Sequence, residues 1–208
     1  GLRNSILLLV IMLLSPVTFG ALGDNAPSVP STYVSSHPRL GAPDKAFLDL
    51  IWLNRNGGAS RYWTAANGWD SAAPGTLIDF RRLLIAYMAE RAHQGPHTAS
   101  YLSKITEMAK PAGSWALENC GGWTSGIGIA LAYDWTYADL SDSTRATMRS
   151  TLYTIMEQFE ANFEGSSPYN DQFYITGCRQ VIHLIPALAI YPDDPARSLP
   201  HLRWSMDL

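Results

Sequence analysis

Lysine is scarce in this chain: Lys45, Lys104 and Lys110 are the only three among 208 residues. Lys and Arg together number 15 against 18 Asp and Glu, for a net charge of −3. Capture of nucleic acid through its phosphates needs clustered cations, so that class of partner is disfavoured. Charged residues make up only 16% of the chain, against roughly 25% in an average soluble domain. The hydrophobic share of 47% nevertheless sets it apart from disordered sequences. Cysteine is almost absent. Cys120 and Cys178 stand alone, without CxxC or neighbouring His spacing, which argues against a structural zinc site and names no metal ligands. In an oxidising compartment the two could pair and close a loop of about 58 residues, worth about 4 kcal/mol. Two buried free thiols fit the sequence equally well. No G-x-S-x-G elbow, Walker motif, H-E-x-x-H or EF-hand loop occurs, and no cofactor is expected. No stretch alternates with period two for long, so strands are not expected.

What is present begins with a leader. Arg3 precedes the nine-residue apolar run Ile6 to Leu14, and Ser15-Pro16 breaks it. Thr18 and Gly20 then place small residues before Ala21. This pattern over residues 1–20 reads as a secretory signal rather than a buried core helix. Nine apolar residues are too few for a bilayer, which takes about twenty. No later run is long and apolar enough for a stable membrane span, so the expected destination is the periplasm or the cell exterior. Residues 21–41 read as an extended leader rich in Pro, Ser and Gly, and 42–208 as one helical domain. The chain starts with Gly and stops inside the helix-like segment His201 to Leu208, with no capping Gly or Pro. It is therefore expected to be the front part of something longer.

Helical patterns recur from Ala42 onward. Pro43 and Asp44 open the first, which Gly57-Gly58 closes, and Arg61 to Pro74 looks irregular. Thr76 to His93 is apolar around most of its circumference and ends at Gly95-Pro96; His97 to Lys110 follows. Trp123 to Tyr137 is rich in Gly and Ala, which allows neighbours to approach closely. Ser141 to Phe163 is amphipathic, with Met148, Leu152, Ile155, Met156 and Phe159 on one face and Asp142, Arg145, Arg149, Gln158 and Glu160 toward water. Asp171 to Tyr191 has no charged residue after Arg179, as a helix enclosed by protein would, with a kink expected at Pro186. Asp193-Asp194-Pro195 starts another. Alternating wet and enclosed helices predict an all-α fold, a double ring of helix pairs in preference to a plain bundle.

Three segments carry a family resemblance. His37-Pro38-Arg39-Leu40 resembles the "HPRL" that leads into the first helix of heparinase II/III-like polysaccharide lyases. Ala130-Leu131-Ala132-Tyr133-Asp134-Trp135, followed by Leu140-Ser141, resembles their "ALAYDW…LS" segment. Tyr169-Asn170-Asp171-Gln172-Phe173-Tyr174, running on to Ala187-Leu188-Ala189-Ile190-Tyr191 and Asp193-Asp194-Pro195, resembles the stretch where such enzymes carry an Asn-His pair. Here Asp171 stands where His is expected. The resemblance spans about His37 to Leu208. It implies an incomplete (α/α) toroid, followed in the family by a β-sandwich, with an acidic polysaccharide in the cleft. The family's later catalytic tyrosine and second histidine would lie beyond Leu208.

The implied reaction is β-elimination. It removes the C5 proton of a uronate and expels the C4 oxygen, so it needs a donor for the developing charge, a base and an acid. Asn170 suits the donor, though a residue at that position also serves as a helix N-cap. Tyr169 and Tyr174 suit the proton transfers, and Tyr174 reads equally well as a core aromatic. Asp171, as a base, would be repelled by an anionic sugar unless protonated; as a helix-opening acid it needs no further role. His183 lies nine residues beyond Tyr174 and is read as either a substrate contact or a buried structural histidine. Trp63, Trp115 and Trp123 sit near glycines, as sugar-stacking platforms in loops or as plugs at the ends of the ring. Two other functions fit the same sequence: a glycoside hydrolase on a similar ring, and a non-catalytic carbohydrate-binding or scaffold module.

Overall fold

The computed structural model describes residues 37–70, 76–108, 121–164 and 183–206, and every regular element among them is helical. In chain order these are α1 (Lys45–Leu53), α2 (Ser60–Gly68), α3 (Leu77–Ala92), α4 (Thr98–Glu107), α5 (Gly121–Thr136), a 3₁₀ turn (Tyr137–Asp139), α6 (Asp142–Glu164), α7 (Ile185–Ile190) and α8 (Pro195–Met206). No described helix is long and apolar enough to cross a membrane.

Local chemistry sets several ends. The Asp44 carboxylate accepts the Phe47 amide at 2.7 Å and caps α1, and the Thr76 hydroxyl accepts from Asp79 at 3.2 Å to cap α3. At the far end of α3, Gln94 takes a left-handed φ of 53° and the Gly95 amide reaches back to the Glu90 carbonyl at 2.7 Å. A Cβ on Gly95 would strike the Glu90 carboxylate and come within 2.9 Å of Trp52, so any side chain here would have to push both neighbours aside.

Helix α5 packs against both α3 and α7. Helix α4 lies against both α3 and α5, and α6 against both α5 and α7, while α8 packs on α7. All eleven residues from Gly126 to Thr136 of α5 are buried, as are half of α3 and most of α7. Leu83 and Leu84 are fully enclosed, and each such side chain contributes about 1.5–3 kcal/mol. Gly128 permits the close approach of α5 to α3: a Cβ there would lie 3.1 Å from Phe80 and 3.8 Å from Leu77.

Two sequence expectations need correction. Most of the segment expected to be irregular, from Arg61 onward, is helix α2. It lacks an apolar stripe, and Ala66 is its one buried member. Tertiary contacts supply what the pattern lacks. The Lys104 ammonium donates to the Ala66 and Asn67 carbonyls at 2.7 and 2.9 Å, and Tyr101 donates to Asn67 Oδ1 at 2.7 Å. Arg145 and Arg149, expected to face water on α6, turn inward: Arg145 donates to the Tyr137 carbonyl at 2.9 Å and Arg149 to the Tyr133 hydroxyl at 3.1 Å. Most of the expected helix Asp171 to Tyr191 lies outside the described residues; within them, Pro186 stands in the first turn of α7, directly after a π-helical turn at His183 and Leu184.

Candidate functional site

The three described segments that carry the family resemblance meet in space. Asp134, on α5, is 1% exposed. Its Oδ2 accepts the amides of Arg39 and Leu40 at 2.6 and 2.7 Å, and its Oδ1 pairs with His37 Nδ1 at 2.7 Å. Its neighbours on the helix work with it. Trp135 donates its indole N–H to the Leu40 carbonyl at 3.1 Å, and Tyr133 donates to Asp193 Oδ2 at 2.8 Å. His37 Nε2 reaches that same Asp193 oxygen at 3.1 Å, while Tyr137 donates to Asp193 Oδ1 at 2.9 Å. Arg39 donates to the Ala189 carbonyl at 3.1 Å in the last turn of α7. The His37 ring stacks on Tyr137 with centroids 3.7 Å apart.

Electrostatics make this hub a lock. Burial works against a charged His37 ring, but the bonds to Asp134 and Asp193 outweigh it and raise its pKa above the ordinary value. Burial likewise opposes ionisation of Asp193, yet His37, Tyr133 and Tyr137 bring it down to about 2. Burial and the bond to Asp193 push both tyrosine hydroxyls upward, with Arg149 pulling the other way at Tyr133. Both phenols therefore stay protonated and give their hydrogens to Asp193. Neither is poised to remove a proton from a substrate. Sequence reading found the motifs, but nothing in their spacing said that His37, Asp134 and Asp193 would bond one another.

The predicted site residues divide sharply. Asn170, Asp171, Tyr169 and Tyr174 lie outside the described residues, as do Trp115, Cys120 and Cys178. Trp123 falls on the α5 backbone, and its side chain lies outside the described residues. Trp63 is not in a loop; it sits on α2, half-buried, and donates its indole N–H to Glu90 at 2.7 Å. Glu90 is 2% exposed and also accepts the His97 amide at 3.0 Å. His183 is fully buried beside Glu160 and His201, which the sequence did not single out together. The described candidates thus fall into separate places: the α2–α3 contact for Trp63 and the α6–α8 contact for His183.

No family model, curated protein or solved structure matches the chain.

Proposed function

We propose that this chain is a helical portion of a heparinase II/III-like polysaccharide lyase, laid out as a sector of an (α/α) toroid, which cleaves a uronate-containing polysaccharide by β-elimination. The observation that carries the reading is the convergence of its motifs. His37 to Leu40, Tyr133 to Trp135 and Asp193 are separated by up to 156 residues, yet they share one buried bonding network. An enclosed α5 with the more exposed α6 packed on it also suits a ring.

In this reading the protein is exported. Asn170 donates to the substrate carboxylate, and Tyr169 or Tyr174 moves protons at C5 and O4, with Asp171 at the helix start. Trp115 and Trp123 stack on sugar faces. The neutral amide of Asn170 stabilises the dianion that forms as C5 loses its proton, a contribution of about 10²–10³ in rate for one such donor. The tyrosines of the buried hub take no part, because their hydroxyls are committed to Asp193.

The test is to express the full-length gene product and follow unsaturated uronate by its ultraviolet absorbance on alginate and on glycosaminoglycans. Absorbance should rise on at least one polymer, and Asn170→Ala should slow it by about 10²-fold or more. No absorbance on any uronate polymer overturns the proposal. Reducing sugar without an unsaturated end would identify a hydrolase instead, and affinity without turnover a binding module.

A further inference from the structure

We propose that Glu160, His183 and His201 form a binding site for a divalent transition-metal ion, with zinc the best-fitting ion, that ties together α6, the turn into α7 and α8. The three residues come from three separate elements. Each offers one ligand atom, and these atoms all lie within 4.8 Å of one another. Glu160 Oε1 stands 2.8 Å from His201 Nδ1 and 3.4 Å from His183 Nδ1. Ligands held at about 2.1 Å from a zinc ion lie about 3.3–3.5 Å apart in a tetrahedron. The Glu160–His183 spacing already fits, and the Glu160–His201 pair needs to open by only about half an ångström.

The surroundings suit an ion. His183 is fully buried, the His201 side chain is 9% exposed and that of Glu160 is 23% exposed. The site is thus closed on the imidazole side and open at the carboxylate edge, where an ion enters and a water completes the fourth position. Rings form the walls and hold the imidazoles in place: Trp204 and Phe159 lie 4.4 and 5.3 Å from His183, and Tyr153 lies 5.6 Å from His201. Among the described residues, no Lys or Arg pairs with the Glu160 carboxylate. The nearby Arg197 is bonded to Glu157 at 2.8 Å and stacked over Tyr153. Two imidazoles with one carboxylate favour zinc and its first-row neighbours over magnesium or calcium, which prefer all-oxygen sites. The inward stripe of α8 reads Ser198, His201, Leu202 and Ser205, so the histidine occupies a core position where an apolar side chain would otherwise serve packing.

This inference does not depend on the lyase reading, and its measurement does not use activity. The full chain, stripped with a chelator and dialysed, is titrated with zinc chloride by calorimetry, with magnesium and calcium as controls. Melting temperature is followed in parallel. Wild type should bind one zinc per chain with micromolar or tighter Kd and a raised Tm, and should respond to neither control ion. Glu160→Gln, which keeps shape and packing, and His201→Gln should each weaken zinc at least tenfold and lose the Tm rise. Cobalt should give visible absorbance bands of a four-coordinate site in wild type and not in Glu160→Gln. No zinc uptake by wild type at 100-fold excess over the chain overturns the proposal. So does a folded Glu160→Gln variant that binds zinc as wild type does.

Discussion

Two buried clusters in this molecule pair histidine with carboxylate, and they are built on opposite plans. In the His37 hub, carboxylates are the centres and donors surround them. Asp134 receives two backbone amides and an imidazole, and Asp193 receives an imidazole and two phenols. In the Glu160 cluster one carboxylate edge serves two imidazoles, one from the turn into α7 and one from α8. A carboxylate bonded by N–H and O–H donors from several segments locks those segments to each other, and most of its acceptor capacity is committed to them. Convergent imidazole and carboxylate atoms make a ligand set. The same residue types thus yield a lock in one place and a proposed metal site in the other, and the donors around the oxygens decide which.

The largest expected effect is at Asp134. Asp134→Ala leaves the Arg39 and Leu40 amides and a buried His37 without their acceptor. Loss of one partner from such a buried charged network costs about 3–5 kcal/mol. Urea denaturation should show that loss, and zinc should not restore it; a cost below about 1 kcal/mol would mean the hub is not a lock. Gly128→Ala should be smaller. Its new Cβ meets Phe80 at 3.1 Å, and overpacking of this kind costs about 1–3 kcal/mol. It lies on the α3–α5 contact, so the zinc titration should be unchanged. A variant that altered metal binding would show that the two regions are coupled.

The gentlest probe is pH. The His37 pKa is raised on folding, so folding takes up a proton at this ring. Its stabilisation is complete below the unfolded value of 6.5 and fades as pH rises through the higher folded value. Asp193 is lowered from 3.8 to about 2, so its contribution is complete above the ordinary value and is lost as pH falls toward 2. The hub should therefore stabilise most between about pH 4 and 6.5. His37→Gln should flatten the decline on the alkaline side of that window, as read by urea midpoints at successive pH values. An unchanged profile would place the pH dependence elsewhere.

Much of the helical layout was legible because it rests on neighbours in sequence. Asp44 and Thr76 announce helix starts by the bonds their own side chains can make, and Gly95-Pro96 announces an end. The Gly and Ala residues around Gly128 mark a helix with room for close neighbours. Helix α2 was not legible, since its support comes from Lys104 and Tyr101 on α4. The inward turn of Arg145 and Arg149 is not legible either, because a charge in a helical pattern points to a wet surface. A guanidinium can instead bond a carbonyl or a phenol while its stem packs against rings, as Arg145 does over Tyr137.

Sequence alone determined that the chain is helical, where most helices begin and stop, and which of them shun water. Those features depend on side chains one to four residues apart, a distance the backbone itself fixes. Only the tertiary structure decided which polar groups meet. His37 finds Asp134 and Asp193, and Glu160 finds His183 and His201, across intervals that no local geometry spans. Removing such groups from water is costly, so their partners are chosen by the packing that encloses them.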